Sequence, residues 1–198
     1  MPGVLDLLGA TLGGDLQRQL GQQLGAGPQA TGNAIEAALP MLLSGLARNV
    51  AQPGGADALH QALQNDHDGS LLDNLGELLG GTLGGRAANG AGILGHVLGD
   101  RQDAAQRAVA QSSGLDGAQA AQLLATLAPI VMGVLGRTQH SQGLNSAGLA
   151  SMLQNEHATA TQSRPDLMGV ATQLLDRNHD GSMLDDLMNG LGGMLGRR

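Results

Sequence analysis

Apolar residues recur every three to four positions along most of the chain, which is the spacing of one face of an α-helix. The pattern is clearest in two long runs, from Ile35 to Leu46 and from Leu124 to Leu135. No segment alternates apolar and polar residues with a period of two, and β-branched residues are few. The pattern therefore predicts an all-α protein without a sheet.

Residues that favour helix ends divide this pattern into separate helices. The predicted starts and stops, in chain order, are Gly25, Ser70, Gly80, Gly114, Asp116 and Ser146. Pro40 and Pro129 lie inside the two long apolar runs. Because proline removes a backbone hydrogen bond, we expect each to kink its helix or to start a new one.

The second half of the chain repeats the first at an offset of 89 residues, the separation of Arg48 from Arg137. "LPMLLSGLAR" (39–48) matches "APIVMGVLGR" (128–137), and "LHQALQNDH" (59–67) matches "LASMLQNEH" (149–157) with one residue inserted. We interpret the repeat as an internal duplication. It predicts two related helical-bundle modules, 1–88 and 89–198, joined by the Gly-rich linker 80–92.

Each module contains an Asp-Gly loop, at 64–70 and at 176–182, followed by a helical pattern. In the second loop aspartate and asparagine side chains alternate before Gly181, as they do in calcium-binding loops, where alternate residues supply oxygen ligands. The usual terminal carboxylate is absent, because Leu187 holds that position. The candidate calcium ligands are Asp176, Asn178, Asp180, Ser182 through its carbonyl, and Asp185 or Asp186.

The first loop is the weaker calcium candidate. Asp66 and Asp68 precede Gly69, but Gln64 stands where the first carboxylate is expected. Calcium is the only cofactor that the sequence suggests.

Helix capping is the alternative interpretation of both loops. Ser70 with Asp73, and Ser182 with Asp185, fit a capping box, in which the serine and the acid three residues later cap a helix start. Capping does not explain the alternation in the second loop, so both interpretations stay open. His67 and His179 occupy matching loop positions and are expected to be exposed, whereas His96 is expected to be partly buried.

Composition excludes several functions. The chain has no Phe, Tyr, Trp or Cys, all its basic residues are arginine, and its net charge is −7. Aromatic stacking on bases, thiolate metal sites and lysine chemistry are therefore absent, and the charge argues against nucleic-acid partners. "GILGHVLG" (92–99) lacks the preceding strand of a dinucleotide site, and no nucleophile elbow or phosphate loop occurs. We expect no enzymatic activity.

Gly-Leu segments such as "LLGATLGGDL" (7–16) and "LMNGLGGMLGRR" (187–198) are the other functional candidates. They fit core packing or tails, self-association through close helix contacts, or membrane contact. Acidic residues argue against the membrane, and the most apolar run, 123–136, is shorter than the roughly 20 residues of a membrane span. The N-terminus lacks a basic signal region, so we expect a cytoplasmic location.

"LGQQLGAGPQATGNAIEAALPMLLSGLARN" (20–49) resembles the bacterial domain-of-unknown-function family that includes the YidB proteins. Residues 92–137 are similar to the second repeat of its longer members. The resemblance implies an all-helical bacterial protein and brings no catalytic residues. The sequence thus predicts a non-enzymatic structural or interaction protein that self-associates through Gly, Leu and Ala helix faces. The alternative is a calcium-binding module whose loop orders the C-terminal helix.

Overall fold

The computed structural model describes residues 3–79 and 89–163, and within these ranges it is helical throughout, without a strand. This confirms the predicted all-α class. The helices are α1 (Val4–Leu12), α2 (Asp15–Leu24), α3 (Pro28–Ala51), α4 (Gly55–Asn65), α5 (Leu75–Leu79), α6 (Gly90–Leu98), α7 (Gln102–Ser113), α8 (Gly117–Gln142) and α9 (Ser146–Ser163). Two 3₁₀ turns, Ser70–Asn74 and Gly99–Arg101, precede α5 and α7.

Two long helices, α3 and α8, form the centre of the fold. Helix α3 packs against α2, α4, α6, α7 and α9, and α8 packs against α1, α4, α6 and α7. Their predicted apolar faces are buried, which confirms the periodicity: Ile35, Leu39, Leu42 and Leu46 on α3, and Leu124, Leu127, Val131 and Leu135 on α8. The buried apolar residues of both halves of the chain belong to one connected core.

Local sequence accounts for most helix ends. The Asp116 side chain accepts a hydrogen bond from the Gln119 backbone N–H, and the Asp116 backbone N–H donates to Gln119 Oε1, so α8 begins at a capping box. Gly25 and Gly114 end α2 and α7 in the left-handed conformation, as predicted. Helix α9 begins at Ser146, but the Asn145 side chain caps it by accepting from the Gly148 N–H. Gly80 lies outside the described residues.

Both internal prolines lie within continuous helices, α3 and α8. The expectation that either starts a new helix is therefore wrong. Pro40 and Pro129 are buried among apolar neighbours, so tertiary packing offsets the missing hydrogen bond.

Glycine allows the central helices to approach their neighbours closely. A Cβ at Gly90 would overlap the carbonyl oxygen of Ala125 on α8, and one at Gly45 would lie 2.7 Å from the carbonyl oxygen of Val97. The Asn49 side chain also donates to the carbonyl oxygen of His96, at 2.6 Å. The last residues of the predicted linker thus belong to packed helix α6, whereas residues 80–88 lie outside the described ranges.

Helix α8 is longer than the apolar run seen in the sequence, and by length and composition it could cross a membrane. Within its most apolar window 67% of the residues are buried inside the protein. A central core helix passes the same test of length and hydropathy, which makes the match weak support for a membrane span.

Candidate functional site

The first Asp-Gly loop turns the chain sharply after α4. Helix α4 ends at Asn65. Gly69 adopts φ of +99°, a backbone conformation that residues with a Cβ rarely adopt. The carboxylate of Asp68 accepts a hydrogen bond from the Ser70 backbone N–H at 2.9 Å. Hydrogen bonding by the Ser70 side chain, and then by the Ser70 backbone N–H, favours the charged carboxylate and lowers the pKa of Asp68 below its usual value. Asp68 therefore serves as the cap of the 3₁₀ turn that follows.

We call residues 64–79, the loop with the short helices after it, the first Asp-Gly unit. It rests on α8 at positions that lack side chains. A Cβ at Gly136 would overlap the carbonyl oxygen of His67, and one at Gly133 would lie 3.3 Å from the Leu72 side chain. The backbone of the unit therefore approaches the α8 backbone as closely as glycine permits.

Arg137 on α8 holds the unit by a forked contact. Its Nη2 donates to the carbonyl oxygen of Gly69 at 3.0 Å and to Asp73 Oδ1 at 2.7 Å. The side chains of Arg137 and Asp73 are 52% and 70% exposed, so the ion pair contributes at most about 1 kcal/mol to stability. We therefore assign Arg137 the role of fixing the position of the unit rather than supplying most of its stability.

His67 is buried where the sequence predicted an exposed loop histidine, and that prediction is wrong. Its side chain is 6% exposed, and its Nδ1 is buried without a hydrogen-bond partner. Burial lowers the pKa of His67, while the nearby Asp66 and Asp68 act in the opposite direction. The loop faces α8 instead of solvent because glycine at 136 leaves room for the His67 backbone. His96, expected to be partly buried, is exposed.

Two of the cavities beside the described helices have polar linings. A groove of 620 Å³ separates the first Asp-Gly unit from the end of α8, and its polar lining includes His60, Gln64, Asp68, Gln139, His140 and Asn145. A cleft of 780 Å³ lies between α1, α2, α3 and α9. Glycines of α1 and α3 form part of its wall, and Asp6, Glu36 and Glu156 are its acidic lining residues.

The structure brings together only part of the predicted metal sites. Asp66 directly follows α4 as its C-cap and is half-buried, whereas Asp68 is exposed and its carboxylate accepts the capping hydrogen bond from Ser70. In the described part of the chain no three His, Asp or Glu side chains are placed to hold one metal ion. The ligands proposed for the second loop, Asp176, Asn178, Asp180, Ser182, Asp185 and Asp186, lie outside the described residues.

The predicted capping box at Ser70 and Asp73 does not form. The turn at Ser70 has no side-chain cap bond from its preceding residue, which is glycine, and Asp68 provides the capping oxygen instead. The Asp73 carboxylate instead accepts a hydrogen bond from Arg137. A tertiary partner on α8 thus takes the acid that local spacing had assigned to the helix start.

The model of the family described as "Bacterial protein of unknown function (DUF937)" matches residues 6–138. The chain belongs to this family. Comparison with curated proteins and comparison with solved structures found no match. The DUF937 match runs from α1 into α8, and it includes the first Asp-Gly unit and its contact residues Gly133, Gly136 and Arg137.

Those three contact residues were not predicted as functional. The signal for them in the DUF937 region is "GVLGR" (133–137), where two glycines three residues apart interrupt the bulky residues of α8 just before an arginine. Glycines at this spacing lie on one helix face and mark a place where another backbone approaches. The sequence does not reveal which segment approaches, because that depends on the path of the chain after α4.

Proposed function

We propose that the protein is a non-enzymatic interaction protein that self-associates through exposed glycine positions of α1 and α6. The observation that carries the proposal is the setting of Gly9 and Gly95. Both lie inside helices, both are exposed, and a Cβ at either would meet nothing within 4 Å. Glycine inside a helix costs about 1 kcal/mol relative to alanine. Close packing within the chain explains Gly45, Gly90 and Gly136, but it does not explain Gly9 or Gly95.

The local setting of Gly9 supports this proposal. Gly9 belongs to the wall of the 780 Å³ cleft, together with Gly13 and Gly32. A wall without side chains lets a second helix approach to backbone distance, which is the packing that small residues permit between helices. The natural occupant is a helix of the same small-residue type, which a second copy of this chain supplies.

The absence of catalytic machinery is part of the proposal. The described groups with resolved pKa shifts, His67 and Asp68, are used for packing and for capping. The acids of the 780 Å³ cleft have no histidine among the cleft's lining residues to work with. We infer that neither cavity is built for acid–base or nucleophilic chemistry.

We further propose that the fold arose by internal duplication into the modules 1–88 and 89–198. Element order supports it: in each half a short helix is followed by a second helix that ends at a left-handed glycine. A long helix with an internal proline and then a further helix complete the series. Gly9 and Gly95 take the same place in the first helix of each half, after "LL" and "IL".

Substitution of both exposed glycines by alanine tests the self-association. Gly9→Ala with Gly95→Ala should weaken association at least about tenfold, because two methyl groups separate the helices at the contact. The same change should raise the stability of the monomer by about 0.5–1 kcal/mol per site. Gly117→Ala is the matched control, since a Cβ there also meets nothing within 4 Å. Alanine variants that are more stable and associate as before would contradict the proposed surface.

A second candidate function is calcium binding at the second Asp-Gly loop. The alternation of Asp176, Asn178 and Asp180 favours it, because capping requires only the residues next to the helix start. In this proposal the ion orders the loop and the C-terminal helix after it. Isothermal titration with calcium, on the natural chain and on the Asp176→Ala, Asp180→Ala variant, tests the candidate.

A further inference from the structure

The groove beside the end of α8 contains a buried side-chain amide without a bond to any described residue. Gln139, in the last turn of α8, is only 5% exposed and belongs to the lining of this 620 Å³ groove. Its backbone carbonyl oxygen accepts a hydrogen bond from the Leu144 N–H at 3.0 Å, which fixes the backbone at this position. Within residues 3–79 and 89–163 its side-chain amide makes no hydrogen bond. The fold therefore buries this polar group without giving it a partner.

The Gln139 amide opens to the groove. In the described part of the chain it is not one of the polar atoms that are fully enclosed without a partner, so it reaches the open space beside it. A buried amide without a partner is costly, and such groups are rare in folded proteins. An apolar side chain of the same length would fill the same space without that cost. Packing of the fold therefore does not explain the amide, whereas a ligand in the groove does.

The chemistry of the amide indicates the kind of ligand. A glutamine amide donates through its nitrogen and accepts through its oxygen, so it pairs best with a donor and an acceptor that lie side by side. An extended peptide residue presents such a pair, because its N–H and C=O point to the same side of the chain, as they do when two antiparallel strands pair. A single side-chain amide can therefore bind both backbone groups of one residue.

The rest of the lining suits a peptide with an aliphatic side chain. Leu63 is buried, Leu144 is half-buried, and both border the groove. No arginine is among the described lining residues, and the carboxylate of Asp68 is, which disfavours an anionic ligand. The chain has no aromatic ring to stack on a nucleobase. The volume of 620 Å³ lies within the range of about 300–1,000 Å³ that is usual for small-ligand sites.

We propose that this groove binds a short peptide segment, with the Gln139 amide paired to the backbone N–H and C=O of one aliphatic residue. The side chain of that residue packs against Leu63 and Leu144, which supply the apolar part of the lining. Binding is non-covalent and requires no reaction. The inference is independent of the self-association proposed above, because neither Gly9 nor Gly95 lines this groove.

Titration of the isotope-labelled full chain with N-acetyl-leucine methylamide, followed by NMR, tests the proposal. We expect saturable shifts confined to the residues that line the groove, including the side-chain NH₂ of Gln139. A probe of about 13 heavy atoms at ordinary ligand efficiency has a dissociation constant of about 1 mM. The ester analogue, with oxygen in place of the leucine N–H, should bind at least about tenfold more weakly. No saturable shift at up to about fifty times that concentration, or equal binding of the ester, overturns the proposal.

Gln139→Met separates a role in binding from a role in the fold. Methionine keeps the length of the side chain but has no amide, so the variant should bind the probe at least about tenfold more weakly. Its unfolding equilibrium constant should stay unchanged or move toward the folded state, because an unpaired buried amide has been removed. Gln122→Met, at an exposed position of the same helix, is the matched control and should bind as the natural chain does. Unchanged binding by Gln139→Met, or a variant that is less stable or does not fold, overturns the proposal, because the amide would then have its partner within the fold.

Discussion

The two central helices, α3 and α8, both bury an apolar face and contain an internal proline, but they differ at Gly133 and Gly136, the α8 positions on which the first Asp-Gly unit rests. Helix α8 has glycine at 133 and 136, and the first unit lies against its backbone with Arg137 bound to two acceptors. At an offset of 89 residues, α3 has Ser44 and Ala47 where α8 has Gly133 and Gly136. The Nε of Arg48 on α3 is buried without a hydrogen-bond partner. At Gly136 a single added methyl group would overlap the His67 carbonyl oxygen, so the close approach requires glycine there. Two helices with similar buried faces can therefore differ in the backbone approach that they permit on another face.

Gly136→Ala should have the largest effect on this difference. Helix propensity alone would make the substitution stabilising by about 1 kcal/mol. The overlap of the new Cβ with the His67 carbonyl oxygen should instead destabilise the protein by about 2–3 kcal/mol. Chemical denaturation measures the sign of the change in the free energy of unfolding. Hydrogen exchange over residues 66–77 should show that protection is lost first in the first Asp-Gly unit.

Ala47→Gly is the matched substitution on α3. It should cost only about 0.5–1 kcal/mol, the ordinary effect of glycine inside a helix. A stabilising Gly136→Ala, or equal effects at the two positions, would show that the unit does not rest on α8 in the manner described.

Calcium should have the second-largest effect, and it should act on the second Asp-Gly loop but not on the first. If the second loop binds calcium, a concentration ten times the dissociation constant stabilises the protein by about 1.4 kcal/mol. Asp176→Ala with Asp180→Ala should abolish this thermal shift, whereas Asp66→Ala with Asp68→Ala should leave it unchanged. No shift at millimolar calcium in the natural chain would dispose of the calcium function.

His67 should make stability depend on pH through the first Asp-Gly unit. Its pKa is lowered in the folded protein, so the unfolded chain binds a proton first as the pH falls below about 6.5. The stabilisation is fully present above that pH and decreases as the pH falls toward the folded-state pKa. The slope for one proton is at most about 1.4 kcal/mol per pH unit. Asp68 has the same sign, but its loss begins only below its ordinary pKa of 3.8.

His67→Leu should reduce the dependence of the unfolding free energy on pH below about 6.5. The exposed His96→Leu is the control and should leave the slope as it is in the natural chain. A slope that persists in His67→Leu would assign the titration to another group.

Asp73→Asn should have the smallest effect. It removes the charge that faces Arg137 but keeps an oxygen acceptor, and both side chains are largely exposed. We expect a loss below about 1 kcal/mol, decreasing further at high salt. A loss as large as that of Gly136→Ala would make the ion pair, rather than glycine packing, the basis of docking.

The sequence was sufficient for the helices and their buried faces, because helical periodicity and caps such as Gly25, Gly114 and Asp116 are local properties. It was insufficient for the site. The burial of His67 and the pairing of Asp73 with Arg137 depend on which segment passes over Gly133 and Gly136. The sequence around His67 and around Asp73 gives no sign of a neighbour more than 60 positions away in the chain. Local spacing therefore assigned Asp73 to a cap, and tertiary structure assigned it to α8.

Light scattering of the natural chain over concentrations from about 1 to 100 μM tests the central claim of self-association most directly, because mass action favours the oligomer as concentration rises. The chain has a mass of 19.9 kDa. We expect the measured mass to rise from that value toward a multiple of it, and to return toward the monomer in the Gly9→Ala, Gly95→Ala variant. A constant mass of 19.9 kDa for the natural chain over the whole range would contradict the proposed function.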